Sequence, residues 1–121
     1  MDYSKQNQFE ERTAKFGENV IDFCVSISKN EISRPIISQL VRSSTSIGAN
    51  YMEANCASSK KDFANKIFIC KKEAQETKHW LRMILKCNSD KKIEIDKLLN
   101  ECQQLILIFQ KITSSLRSSN N

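Results

Sequence analysis

The residues Glu76-Thr-Lys-His79 have the Glu-x-x-His spacing that supplies metal ligands in the di-iron sites of helical bundles. Such a site needs two of these motifs, with carboxylates from two further helices, and every ligand must point into the core. The chain has a single histidine, and on a helical wheel His79 lies about 160° from the apolar stripe of its own segment. We therefore expect no metal site.

Cysteine is the second residue type that could carry chemistry. The chain has five cysteines, and no two of them form a Cys-x-x-Cys pair: Cys24, Cys56, Cys70, Cys87 and Cys102. An odd number of cysteines with one histidine offers no zinc-site spacing. Cys70 and Cys102 fall on apolar helical stripes, where a free thiol behaves as a small hydrophobic group. We predict reduced, structural thiols and no cofactor.

The sequence contains no sign of a catalytic arrangement. A lone histidine on an outer helix face, without a partner serine or cysteine, does not make a triad. No glycine-rich phosphate loop and no dinucleotide-binding fingerprint are present. We therefore predict that the protein is not an enzyme, and no small-molecule substrate is evident.

Positive charge is concentrated between residues 60 and 92. This segment has ten lysines and arginines against four acidic residues, a net charge of +6, whereas the whole chain carries +5. Helical spacing places a basic stripe beside the apolar one, made of Lys60, Lys71, Lys78, Arg82 and Lys86. Such a stripe suits a phosphate backbone, because each neutralised phosphate releases counterions. The alternative is a solvated lysine-rich face that keeps a bundle soluble.

The same segment has large apolar residues away from its apolar stripe. These are Phe68, Ile69, Trp80 and Met83. Because Trp and Phe are favoured anchors of protein interfaces, we predict that these four residues form an oligomer interface. The alternative is that Ile69 and Trp80 only widen the apolar stripe.

Apolar residues recur at alternating intervals of three and four residues along four segments, which is typical of bundled helices. The predicted helices span about residues 9–29, 34–55, 60–87 and 91–116, and the first eight residues are expected to fray. Ser33 and Ser59 are the predicted N-caps of the second and third helices, and Asp62 completes a capping box with Ser59.

Short connections between these helices predict an all-α fold, an antiparallel up-down-up-down four-helix bundle. At 121 residues, with two glycines and one proline, the chain is expected to form one domain over residues 1–121. We see no secretory signal, and the longest apolar run, Leu105 to Phe109, is too short for a membrane span. These features predict a cytoplasmic protein with no membrane partner.

The segment from Arg42 to Ala54 is unusually rich in small side chains for a helix. Gly48 lies in its middle, where glycine costs roughly 1 kcal/mol relative to alanine, so we expect another backbone to approach closely there. The face opposite its apolar side includes Arg42, Ser46, Asn50 and Glu53. We interpret Arg42, Asn50 and Glu53 as residues that fix helix geometry or a subunit contact. The alternative is that this side of the helix is only a solvated face.

Four stretches together resemble one known family. They are Arg42-Ser-Ser-Thr-Ser-Ile-Gly-Ala-Asn50, Glu53-Ala-Asn, Ser59-Lys-Lys-Asp-Phe63 and Lys72-Glu-Ala-Gln-Glu-Thr-Lys-His-Trp-Leu81. They are similar to the bacterial four-helix bundle proteins, also called the 23S rRNA intervening-sequence protein family. The resemblance extends over nearly the whole chain, is densest from about Leu40 to Leu85, and includes Arg42, Ser46, Gly48, Asn50 and Glu53 as the family motif.

The resemblance implies a four-helix bundle and a homo-oligomer, with pentameric rings as the known arrangement. Some relatives are encoded inside intervening sequences of rRNA genes. A related branch, the accessory proteins of diversity-generating retroelements, forms a basic ring that binds a reverse transcriptase and nucleic acid. Together with the basic stripe, this favours a non-catalytic oligomeric module that binds RNA or a nucleoprotein. The alternative is a homo-oligomeric adaptor for another protein, without nucleic-acid binding.

Overall fold

The computed structural model describes residues 3–119, and these residues form four long helices. The helices are α1 (Tyr3–Ser26), α2 (Ser33–Asn55), α3 (Lys60–Cys87) and α4 (Lys92–Ser119), with a 3-10 turn at Ser89–Lys91 before α4. No strand occurs among the described residues. The all-α prediction is therefore confirmed.

The helices pack around one apolar core. α2 contacts both α1 and α3, α3 contacts α4, and α1 meets α4 less extensively. The predicted stripes supply most of the core, since Phe16, Ile47, Leu81 and Phe109 are fully buried. Ile106 is buried beside the predicted stripe of α4 and widens it.

The first helix begins earlier than its apolar pattern indicates. It includes residues that we expected to fray, and it ends at Ser26 instead of near residue 29. Phe9 packs edge-on against Tyr51 and Phe109, with ring centroids 4.7 and 5.3 Å apart. Arg12 donates two hydrogen bonds to the Glu101 carboxylate, each 2.8 Å long. These contacts hold the start of α1 on the bundle, so the polar turns before them remain helical.

The N-cap prediction is wrong for α2 and right for α3. The Asn30 side chain caps α2, because its Oδ1 accepts hydrogen bonds at 2.9 Å from the backbone N–H groups of Ile32 and Ser33. Ser33 itself is buried inside the turn. At α3, Ser59 Oγ accepts from the Asp62 N–H at 3.0 Å, as predicted. The reciprocal bond of the capping box differs from the prediction, because the Asp62 carboxylate accepts from the Ser58 N–H and not from that of Ser59.

Two glycines allow α1 and α2 to approach closely. A Cβ at Gly48 would lie 3.4 Å from backbone atoms of Thr13 and Ala14, and one at Gly17 would lie 3.5 Å from Cα of Thr45. A Cβ at Gly48 would therefore be in van der Waals contact with the α1 backbone. The close approach expected from the sequence is confirmed, and its partner is α1 of the same chain.

Candidate nucleic-acid interface

The rotation of α3 is fixed by its buried stripe. Ile67, Cys70, Ala74 and Leu81 are completely buried, so the residues beside them must face outward or toward a neighbouring helix. This sorts the polar side chains of α3 into two sets. We call Lys60, Lys71, Lys78, Arg82 and Lys86 the basic flank, and the residues that face α2 the α2 flank.

Four of the five side chains in the basic flank have no partner among residues 3–118. Lys78 Nζ donates a hydrogen bond to Gln103 Oε1 of α4 at 3.0 Å. Within residues 3–118, the side chains of Lys60, Lys71, Arg82 and Lys86 form no ion pair or hydrogen bond. Lys71 is half-buried and the other three are exposed. Their ammonium and guanidinium groups are therefore available to an external anion.

A shallow groove of about 430 Å³ lies between α3 and α4 beside these residues. Lys78 and Arg82 supply its positive charge, Leu85 and Leu99 contribute apolar surface, and Gln75 and His79 complete the lining. None of these lining residues is a carboxylate. An anion in this groove would meet two cations and no like charge.

The acidic residues of α3 are held on the α2 flank. Arg42 of α2 forms ion pairs with Glu73, at 3.1 Å, and with Glu76. The Glu73 side chain is only 16% exposed. The third acidic residue, Asp62, lies at the helix start, where its carboxylate accepts a hydrogen bond from the Ser58 N–H at 3.4 Å. Two of the three carboxylates of α3 are thus paired with a cation on the side away from the basic flank.

The other polar residues of the family motif also face α3 or their own helix. Ser46 Oγ donates to the Arg42 carbonyl at 2.6 Å, and Asn50 Nδ2 donates to the Ser46 carbonyl at 2.8 Å. Glu53 pairs with Lys66 of α3 at 3.4 Å. Of the two roles considered for Arg42 and Glu53, these contacts match the fixing of helix geometry.

A buried polar contact joins α2 and α3, and the sequence reading missed it. The hydroxyl oxygens of Ser43 and Thr77 lie 2.9 Å apart, and both residues are fully buried. Thr77 Oγ1 also lies 2.8 Å from the Glu73 carbonyl oxygen. If Ser43 donates to Thr77 and Thr77 donates to that carbonyl, both hydroxyls are satisfied. The small residues of α2 were a signal of close packing, but no pattern paired Ser43 with Thr77.

The four predicted interface residues do not lie on one exposed patch. Phe68 is 57% exposed, whereas Ile69 and Met83 are half-buried. Trp80 is half-buried and packs against the core. This contact matches the alternative that Trp80 widens the apolar stripe of α3. Other exposed apolar side chains lie on α1 and α2, among them Ile21 and Met52, and the sequence reading did not select them.

The Glu-x-x-His motif is divided between two surfaces. Glu76 pairs with Arg42, and His79 is exposed, with its ring 4.9 Å from the Trp80 ring. The described residues contain no group of three or more histidine, cysteine or acidic side chains that could hold a metal ion.

All five cysteines are free thiols, and Cys24, Cys70 and Cys102 are buried. Burial raises the pKa of Cys70 and of Cys102 from 9.0 to about 12, and that of Cys24 to about 11. Cys70 Sγ contacts the Ile47 carbonyl at 3.6 Å, and Cys102 Sγ contacts the Ala74 carbonyl at 3.2 Å. These protonated thiols act as packing groups, because the reactive species is the thiolate.

The architecture defines an all-helical protein built from four long helices. Comparison with known proteins leads to the same class. The model of the 23S rRNA-intervening sequence proteins matches residues 5–111, and the chain belongs to this family. A search of curated proteins finds no match. None of the helices in the described part of the chain is long and apolar enough to cross a membrane.

A solved structure of the same kind is a protein of unknown function from the S23 ribosomal protein family of Bacteroides thetaiotaomicron, determined at 1.70 Å. It is 27% identical to this chain, and the alignment covers 86% of this chain and 96% of that one. The TM-score is 0.78, so the two proteins share the arrangement of their helices.

Proposed function

We propose that this protein is a non-catalytic RNA-binding module, and that the basic flank contacts phosphate. The observation that carries the proposal is the separation of charge on α3. Arg42 holds Glu73 and Glu76 on the α2 flank, while four cations of the basic flank lack partners within residues 3–118. The family description, which names a 23S rRNA intervening sequence, supports RNA as the polyanion.

The length of α3 is suited to this role. Its 28 residues extend for about 42 Å at 1.5 Å per residue. Lys60 and Lys86 stand near its two ends, and Lys71, Lys78 and Arg82 lie between them. A polynucleotide along this helix would meet a cation at intervals of one to three helical turns. Each contact that neutralises a phosphate adds to affinity through counterion release.

We also propose that the helices run up-down-up-down, so that α3 lies antiparallel to both α2 and α4. Contacts between helices support this topology. Along α2 and α3, Arg42 meets Glu76 and Glu53 meets Lys66, so residue numbers rise on one helix as they fall on the other. Along α3 and α4, Phe63 lies beside Ile112 and Leu85 lies beside Leu99, again in opposite order.

A non-catalytic role is supported by the surroundings of the groups that could do chemistry. His79 is exposed and its ring meets that of Trp80 edge to face, and Glu76 is engaged by Arg42. The buried thiols retain their protons at neutral pH, because burial raises the pKa of each. Five free cysteines also favour a reducing compartment such as the cytoplasm.

The second candidate function is a homo-oligomeric adaptor that binds another protein. The family resemblance implies a pentamer, and such an assembly is compatible with either function. The observation in its favour is the exposure of large apolar side chains on separate surfaces. Phe68 on α3 is 57% exposed, and Met52 on α2 is 50% exposed. Exposed aromatic and methionine side chains are favoured in protein interfaces.

The experiment compares two variants with the same change of charge. One replaces Lys71, Lys78 and Arg82 with glutamine, and the control replaces Lys15, Lys29 and Arg34, which are exposed on α1, on the connection that follows it and on α2. We expect the first variant to lose RNA affinity by at least about tenfold in fluorescence anisotropy, and the control to change it less than about threefold. Light scattering checks that both variants keep the wild-type mass. Equal affinities for the two variants would reject the basic flank and favour the adaptor.

A further inference from the structure

Phe68 is an exposed aromatic side chain that the packing of the chain does not explain. It is 57% exposed and lies outside the buried core. Ile69 and Trp80, which we grouped with it from the sequence, are half-buried instead. Leaving a phenyl ring in water forgoes the stabilisation that burial would provide. Its position therefore suggests a surface role.

The charged neighbours of Phe68 on the outer face of α3 are cations. Lys71 and Lys72 follow Phe68 by three and four residues, the spacing at which side chains on a helix are adjacent. Lys61 precedes it by two turns on the same face. Glu73 and Glu76 are paired with Arg42 on the α2 flank. Phe68 is thus an aromatic ring within a positively charged surface.

A base-paired RNA would gain little from this ring. The major groove of A-form RNA is deep and narrow, and its minor groove is recognised mainly through shape, the 2′-hydroxyls and phosphates. A phenyl group on the outer face of a long helix cannot reach the face of a paired, stacked base without unstacking it. In a single strand the base faces are accessible, and proteins that bind single strands combine cationic grooves with aromatic stacking platforms.

We propose that the preferred ligand of α3 is single-stranded RNA, with one base stacked on Phe68 and the adjoining phosphates held by Lys71 and Lys72. This inference rests on the proposed function, because it identifies the form of RNA that the same helix takes. The strand continues from Phe68 along the basic flank, past Lys78 and Arg82. Binding is tolerant of sequence, since every base has a face that can stack.

The test uses the full chain and two RNA probes with the same number of phosphates. One probe is a short unstructured single strand, and the other is a blunt duplex. Phe68→Leu keeps an apolar side chain but removes the aromatic ring, and Phe68→Tyr keeps the ring. Met52→Ala is the matched control, because Met52 is 50% exposed on α2. Fluorescence anisotropy gives affinities, and light scattering gives the mass of each variant.

We expect wild type to bind the single strand more tightly than the duplex. Phe68→Leu should weaken single-strand binding by about tenfold and change duplex binding by less than about twofold. Phe68→Tyr and Met52→Ala should stay close to wild type on both probes. An adenine analogue whose fluorescence falls on stacking should be quenched by wild type and by Phe68→Tyr, but not by Phe68→Leu.

Two results would overturn the inference while leaving RNA binding in place. One is that Phe68→Leu lowers the affinity for the single strand and the duplex equally, or changes neither, while the variant with Lys71, Lys78 and Arg82 replaced by glutamine still fails to bind. The other is a lower mass for Phe68→Leu, which would make Phe68 an oligomer contact. If wild type binds neither probe even at low salt, the proposed function itself fails, and this inference falls with it.

Discussion

Along α3, the flank that meets α2 and the flank that borders α4 share one helical scaffold but differ in their polar contacts. On the α2 flank, Glu73 and Glu76 are paired with Arg42, and the Thr77 hydroxyl meets that of Ser43. On the basic flank, Lys78 contacts a neutral glutamine, and the other cations have no partner among residues 3–118. Charge that is already engaged within the fold supports structure, whereas unengaged charge is free for a ligand.

The largest expected change in the free energy of unfolding comes from raising the pH, through the buried thiols in the core beneath both flanks. Burial raises the pKa of Cys70 and Cys102 to about 12, whereas a thiol in the unfolded chain ionises near 9.0. Above pH 9 the folded protein therefore binds more protons than the unfolded chain, so stability falls as pH rises from about 9 to 12. Each thiol contributes up to about 1.4 kcal/mol per pH unit in this window.

Urea unfolding at about pH 8 and pH 10.5 would measure this loss. Cys56→Ala is the control, because Cys56 is exposed and its removal should leave the pH dependence as in wild type. Cys102→Ala should make the loss smaller. A pH dependence unchanged by Cys102→Ala would show that this thiol does not retain its proton in the fold.

The next effect concerns the buried hydroxyl pair on the α2 flank. Thr77→Val keeps the shape of the side chain but leaves Ser43 without its partner, and we expect a loss of about 1–2 kcal/mol in the free energy of unfolding. RNA affinity should not change. In a double-mutant cycle, Ser43→Ala with Thr77→Val should cost less than the two single changes added together. Strict additivity would mean that the two hydroxyls do not interact.

The smallest effect separates the two flanks directly. Arg42→Gln leaves Glu73 and Glu76 unpaired, and because the pairs are partly exposed we expect a loss of only about 1 kcal/mol. Lys71→Gln, the matched change on the basic flank, should alter stability by less than about 0.5 kcal/mol while weakening RNA binding. Denaturation and anisotropy on both variants check this. A larger stability loss in Lys71→Gln than in Arg42→Gln would reverse the assignment of the flanks.

Much of the fold could be predicted because it depends on periodic burial. The stripe through Ile67, Ala74 and Leu81 is buried as its spacing indicates, and the Ser59 cap follows from local chemistry. The start of α1 could not be predicted in this way. It depends on contacts of Phe9 and Arg12 with residues far away in the sequence, which no local pattern contains.

The candidate site was only partly predictable for a similar reason. Spacing along α3 was enough to place Lys71, Lys78 and Arg82 on one stripe. It could not reveal that Arg42 engages Glu73 and Glu76, because that contact joins two helices. It also could not separate the exposed Phe68 from the half-buried Trp80, since burial of residues beside a stripe depends on the neighbouring helix.

The most direct test of the central claim is the salt dependence of RNA binding. The logarithm of affinity should fall linearly with the logarithm of salt concentration, with a slope of about −0.7 per phosphate contacted in a single strand. Replacing Lys71, Lys78 and Arg82 with glutamine should make the slope shallower by about 2, because three phosphate contacts are lost. Replacing Lys15, Lys29 and Arg34 should leave the slope unchanged. An equal slope for both variants would contradict the assignment of the basic flank as the phosphate-binding surface.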